Sequence, residues 1–346
     1  MKKPLKITII ALAVILALII LLIGTIALLN NIGKSQFHKN DANITNSNVV
    51  ENEEGILYKG KKYKLCSDIV SFLLIGVDKE NLGDNLGIGQ NGQADTLLVG
   101  SVNTKTNQVS VIPISRETLV DVNQYTTNGV YSGVSKKQIC LAFNYGKDIQ
   151  QCSENILLSV SRALYGINIS SYITMDLKAL EKLSDSVGTI SVPVNEDYYD
   201  SSTRTTHKTG STIKIKGKSA VNYIHWRTEN VDANNYRMER QKNFIKAFMN
   251  KAAGEISNDF SKVITYYNLM SPFVSTNITL SQTTYLATNC IRMNLGDAIQ
   301  FKSIPGETFL RDGYSAFIPN EEALTDIIIE TFYEEIPQEK PQTASK

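Results

Sequence analysis

The feature that most limits what this chain can become is Ile7–Leu29, 23 consecutive residues without a charge and almost all Ile, Leu, Ala and Val. A helix rises 1.5 Å per residue, so a run of this length matches the roughly 30 Å hydrocarbon core of a bilayer. A helix buried in a globular core is usually shorter and apolar on one face only. Lys2, Lys3 and Lys6 precede the run, and flanking lysines favour the cytoplasmic side. The expected topology is a cytoplasmic tail at 1–6, a transmembrane anchor at 7–29, and the remainder outside the membrane, with the protein a single-pass resident of the cell membrane. A cleaved signal peptide is the rival. Its apolar stretch would be roughly 7–15 residues ending in an A-x-A-like site, which Thr25-Ile26-Ala27 fits poorly.

Residues 30–54 are rich in Asn, Ser, Lys and Asp. They cannot build a core and read as a flexible linker spanning about 25–30 Å. One extracytoplasmic domain is expected over 55–336, and 337–346 reads as a disordered tail. Charge is balanced, with 35 basic against 34 acidic residues, which excludes the strongly basic domain that bulk nucleic-acid binding needs. Cys66, Cys140, Cys152 and Cys290 show no CxxC spacing and no paired histidines, so a zinc site is excluded as well. Outside the cytoplasm Cys140 and Cys152 suit a disulfide closing a short loop; separate buried thiols are the alternative.

Ile69–Val77 is a continuous apolar run of strand length, suited to a sheet buried on both faces. Thr96–Val102 and Gln108–Pro113 read as two more strands, and Gly55–Leu65 as a hairpin turning near Gly60-Lys61. Helices are expected at Glu154–Leu164, stopped by Gly166, and at Asp176–Ser186, capped by Asp176. Further helices are expected at Lys218–Trp226, Tyr236–Ala253 and Glu321–Glu334, with a strand at Thr189–Val194. This mixture predicts an α/β architecture, a central mixed sheet sandwiched by helices, preceded by the one transmembrane helix.

Two carboxylates fall at strand ends, Asp78 in Gly76-Val77-Asp78 and Asp95 in Gln93-Ala94-Asp95-Thr96. Hard cations such as Mg2+ take one or two carboxylates together with phosphate oxygens and water. Each Asp alone would more often cap a turn. Asn81–Gly92 between them carries four glycines and reads as a mobile loop over a cleft. Arg116 lies just past another strand. Arg204–Lys246 holds ten Lys/Arg against three Asp/Glu, a local balance of 10 − 3 = +7. It includes Arg227, Arg237, Arg240 and Gln241, and guanidinium groups bind phosphate through paired hydrogen bonds. A solvated basic face is the plain alternative.

Four blocks in order, FLLIGVDKE, ADTLLVGSVNTKTNQVSVIPISRETLV, QICLAFNYG and YIHWRTENVDANNYRMERQ, resemble the signatures of the LytR-CpsA-Psr family across about Ser67–Lys251. The resemblance implies a phosphotransferase that moves a teichoic-acid- or capsule-like glycopolymer from a polyprenyl-pyrophosphate carrier in membrane lipid to peptidoglycan. It implies that Asp78 and Asp95 coordinate Mg2+ (or Mn2+), and that Arg116, Arg227, Arg237, Arg240 and Gln241 contact the pyrophosphate. Three positions depart from the pattern. Gln93 and Gln138 stand where the family usually has Arg and Lys, and His225 where it has the first Arg of R-x-R. His225 can still donate to a phosphate and gains charge at mildly acidic pH. A pyrophosphatase side activity and a non-catalytic polyprenyl-pyrophosphate-binding protein remain as alternatives.

Overall fold

The computed structural model describes residues 25–37, 55–79, 81–83, 87–226, 233–291 and 299–337. The apolar strand Ile69–Val77 (β3) lies inside a six-stranded sheet, between Ala94–Asn103 (β4) and Tyr172–Met175 (β8). Its apolar residues run without alternation because both faces are covered. Outward from β4 come Gln108–Ile114 (β5) and Ile299–Phe301 (β14); outward from β8 comes Val274–Thr276 (β13). β3 pairs antiparallel with β4 and parallel with β8, and β5 pairs parallel with β14, so the sheet is mixed, as expected.

Period-two side-chain direction divides the work of the two faces. Leu73, Ile75, Val77, Leu97, Val99, Ile112 and Ile114 pack against helices Ile149–Ala163 (α2) and Glu321–Phe332 (α8) through Ile156, Val160, Leu164, Leu324, Ile328 and Phe332. That layer is closed. The opposite face presents Phe72, Leu74, Gly76, Leu98, Gly100, Val109 and Val111, and helices Leu177–Ser186 (α3), Gly217–His225 (α4) and Ala233–Asn258 (α5) stand over it without filling the space. Two residues on this face are glycine, which leaves room where side chains would otherwise meet the helices.

Most expected elements form, with shifted ends. The first hairpin pairs Ile56–Tyr58 (β1) with Lys61–Leu65 (β2), and it turns at Lys59 and Gly60, both at positive φ. α3 starts as expected, with Asp176 accepting from the Ala179 amide at 2.6 Å. The final helix ends at Phe332 rather than Glu334, because Tyr333–Glu335 (β17) pairs with β2. Two hairpins carried no clear sequence signal: Leu119–Tyr125 with Tyr131–Gln138 (β6–β7), and Gly306–Arg311 with Tyr314–Pro319 (β15–β16). A smaller unit beside α4 and α5 contains Ile190–Pro193 (β9), Tyr198–Asp200 (β10), Thr205–His207 (β11) and Thr212–Ile215 (β12). Helices Lys262–Met270 (α6) and Leu280–Ile291 (α7) complete the domain.

Of the expected linker at 30–54, only residues 30–37 are described. Residues 25–37 are helical (α1), and the Phe37 side chain is buried against Val70 and Tyr285. Among the described residues no helix is long and apolar enough to cross a membrane; most of Ile7–Leu29 lies outside them.

Candidate active site

The site begins with a fault in the sheet. Gly76 pairs with Thr96 and Val77 with Ala94, so one register step between β3 and β4 contains the extra residue Asp95. A bulge of this kind re-aims a side chain, and bulges recur beside active sites. Asp78 follows β3 directly, and Asp78 and Asp95 line the mouth of one cavity. Gly76 lines the same mouth. A Cβ there would sit 3.0 Å from that of Thr96, so the close approach of β3 and β4 at this point favours glycine.

Below the mouth the cavity is almost wholly apolar. Phe72, Leu74, Leu98, Val109, Val111 and Ile299 of the sheet face Leu180, Leu183, Phe244, Ile245, Phe248 and Met249 of the helices. This apolar lining is a low-dielectric wall beside the rim charges, which strengthens electrostatic interactions there.

Arg116 leaves the turn after β5, a turn closed by the Thr118 amide bonding to Ser115 O at 3.0 Å. Its guanidinium forms an ion pair with Asp95, and its Nη2 donates to Gln93 Oε1 at 2.6 Å. Both Asp95 and Arg116 are partly exposed, so a ligand can reach them. His225 at the end of α4 and Gln241 on α5 line the cavity opposite the sheet. Arg237, partly buried, is one turn before Gln241 and shares its side of α5. Arg227 lies outside the described residues.

Arg240 is placed elsewhere. Only 1% exposed, it donates from Nε to Tyr223 O at 2.8 Å, from Nη2 to Trp226 O, and from Nη1 to Glu196. Its guanidinium also lies 5.2 Å from the centre of the Trp226 ring. These contacts hold α5 against the end of α4 and leave Arg240 facing the smaller unit rather than the cavity. Arg237 and Arg240 are three residues apart on α5, a spacing that by itself does not distinguish an arginine facing the cavity from a buried one.

Asp176 is the rim carboxylate that the sequence reading saw only as a helix cap. It lines the cavity, and while Oδ1 caps α3, Oδ2 accepts from the Leu82 amide at 2.8 Å. Its signal was the parallel pairing of β8 with β3, which brings the residues after Met175 and Gly76 to one edge. The expected mobile loop is also fastened at its far end. Asn91, 3% exposed, donates to Gly146 O at 2.7 Å, and the Gly89 amide donates to Asn144 O at 2.8 Å.

Cys140 and Cys152 are both free and buried, so the expected disulfide is absent. The Cys140 thiol points toward Gln93 Oε1, 3.8 Å away, whereas Cys152 packs tightly against Gly146. Burial pushes both thiols up to about 11, despite the nearby Arg116 in the case of Cys140.

Among the described residues no cluster of three metal-binding side chains exists. Two carboxylates at a cavity mouth with an arginine alongside fit a cation that takes its other ligands from phosphate and water.

The chain is 25% identical over 233 residues to the polyisoprenyl-teichoic acid–peptidoglycan teichoic acid transferase TagU of Oceanobacillus iheyensis, covering 67% of this chain and 64% of the relative. The Enterococcus faecalis TagU is 26% identical, covering 74% and 77%. Against the first of these the chain therefore spans slightly less than two thirds of the relative's length. The crystal structure of B. subtilis TagV superposes with a TM-score of 0.61 at 23% identity, over 76% of this chain and 96% of that one. TagT bound to LIIa-WTA gives 0.57 at 18%, over 76% and 89%. Residues 32–331 match the LytR_cpsA_psr family, and the chain belongs to it.

Proposed function

We propose that this protein is a membrane-anchored phosphotransferase that moves a glycopolymer from a polyprenyl-pyrophosphate carrier to peptidoglycan outside the cell. The observation that carries the reading is a deep apolar cavity whose mouth alone is charged. An isoprenoid chain needs the first and a pyrophosphate the second. The names of the relatives as teichoic acid transferases support the same reading.

In this mechanism the carrier's chain occupies the cavity and its pyrophosphate rests at Asp78, Asp95 and Arg116. A wall-sugar hydroxyl oxygen forms a bond to the phosphorus that bears the glycopolymer. The bond from that phosphorus to the bridging oxygen breaks, and polyprenyl phosphate leaves with the electron pair. The hydroxyl proton passes to a carboxylate, Asp78 or Asp95. Arg116 neutralises charge that develops on the phosphate oxygens from a fixed position, and Arg237, Gln241 and His225 extend the polar rim. Asp78 and Asp95 would hold Mg2+ or Mn2+, and that cation would supply Lewis-acid chemistry at the pyrophosphate.

The test is a transfer assay with the full-length protein, a synthetic lipid-pyrophosphate saccharide and peptidoglycan fragments. Transfer is expected to require the divalent cation, and Asp95→Ala is expected to lose it at least 100-fold with the fold unchanged. Tight carrier binding without turnover by the native chain would instead establish the non-catalytic alternative.

A further inference from the structure

α1 has two kinds of surface. Gly33 and Phe37 are buried, and Ile26, Leu29, Asn30 and Gln36 are partly covered, a spacing of three and four that marks one helical face. That face seats on the start of α7. A Cβ on Gly33 would stand 2.1 Å from Ser281 O, so the helix crosses α7 at backbone contact. Gln36 Oε1 accepts from Thr279 Oγ1 at 2.7 Å, and the Phe37 ring lies 6.2 Å from that of Tyr285. The outward face bears Leu28, 60% exposed, and Ile32, 38% exposed.

The seat lies at one pole of the sheet. Phe37 packs on Val70 at the start of β3, and the Thr104 amide in the β4–β5 turn bonds Asp68 O at 2.9 Å, so this turn belongs to the same pole. Leu286 of α7 touches both the Phe37 cluster and the cluster of Val109, Val111 and Ile299, which lines the deep end of the cavity. Asp78 and Asp95 mark the other pole. The β15–β16 hairpin belongs there too, because the Phe317 amide bonds Glu117 O just beyond the end of β5.

The uncharged run ends at Leu29, inside α1. Gly33 is four residues further on, about 6 Å along a helix. A chain docked there cannot hold its domain a linker's length away from the bilayer.

We infer that the lipid bilayer lies directly against the α1 pole of the domain, with α1 as a rigid strut that turns the deep end of the cavity toward the membrane and its charged mouth toward the wall. This inference rests on the membrane-anchored reading above and adds a fixed orientation to it. The exposed Lys105 in the β4–β5 turn suits anionic headgroups at that surface.

The full-length chain is placed in vesicles of radiolabelled phosphatidylglycerol, with photoreactive benzoylphenylalanine at Lys105 or at Leu310, which is 79% exposed on the opposite hairpin. Illumination is expected to give a lipid adduct from Lys105 at least fivefold above that from Leu310. Gly33→Leu, which drives a side chain into Ser281 O, is expected to lower the Lys105 adduct at least threefold while transfer from a soluble short-chain carrier is unchanged. Equal or reversed labelling of the two positions overturns the inference, as does a Lys105 adduct that survives Gly33→Leu. Crosslinking needs no turnover, so a chain that labels at Lys105 yet transfers nothing refutes the proposed function without touching the orientation.

Discussion

Replacing Arg240 with methionine distinguishes a structural arginine from a phosphate-binding one. The substitution keeps a long flexible side chain and removes every donor. Three carbonyl or carboxylate partners lose their bonds, at Tyr223, Trp226 and Glu196. Glu196 is only 12% exposed at its side chain, so its carboxylate is left nearly buried without a counterion. Removing one member of a buried ion pair costs about 3–5 kcal/mol, a large share of the roughly 5–15 kcal/mol that holds a domain together. Urea unfolding of the purified protein, followed by far-ultraviolet circular dichroism, should show a matching fall in stability. Glu196→Gln combined with Arg240→Met should recover part of it, because the uncompensated charge is gone. Affinity for a polyprenyl-pyrophosphate analogue, measured where the variant is still folded, should stay within about threefold of native. A variant with native stability and at least tenfold weaker pyrophosphate binding would refute the assignment and return Arg240 to the cavity.

Asp200 accepts from the Ser202 amide and hydroxyl, from Asn222 Nδ2 at 3.0 Å and from the Ser219 hydroxyl. Burial alone would raise it, but these bonds outweigh burial and hold the carboxyl down to about 2. Its folded value is below its unfolded one, so the unfolded chain binds the extra proton between them; the contribution is complete above about pH 4 and fades as pH falls toward 2. Asp200→Asn should therefore flatten the pH dependence of the urea midpoint between pH 4 and 2 relative to native, and an unchanged slope would contradict this. Gly100 faces the cavity, and a Cβ there would meet the Phe72 ring at 2.5 Å; Gly100→Ala must push that ring into the space proposed for the isoprenoid. Affinity for a long-chain carrier analogue should fall about tenfold, or roughly 1.4 kcal/mol, and that for a two-isoprene analogue by less than twofold. Equal losses on calorimetric titration would place the chain elsewhere.

The parts of the fold that were legible in the sequence carry their signal locally. β3 announced itself as an unbroken apolar run, α3 through its Asp176 cap, and the end of α2 through Gly166, which takes a φ of +89°. What escaped was set by partners distant in sequence. Tyr333–Glu335 continues a helical pattern, yet it leaves the helix to pair with Lys61–Leu65. Residues 30–37 look like linker by composition, but Gly33 and Phe37 find a seat on α7 that exists only in the folded domain. The bulge that aims Asp95 is a register step between two strands, and no property of Asp95 itself reveals it.

The same limit explains the positions where expected positive charge is missing. Gln93 is useful here as an acceptor, because its Oε1 receives Arg116 Nη2 while Asp95 takes Nη1. The two acceptors fix the guanidinium plane between them, and an arginine at 93 would supply only donors and repel it. Gln138 donates to Ser315 O at 2.5 Å, tying the end of β7 to the β15–β16 hairpin beside Glu117, whose carboxylate accepts from the Ser315 hydroxyl at 2.9 Å. Both glutamines therefore exchange a mobile charge for a bond that positions other groups. His225 differs, since it remains exposed at the cavity wall. Among the described rim residues, Arg116 is the guanidinium that Asp95 and Gln93 hold in a fixed orientation.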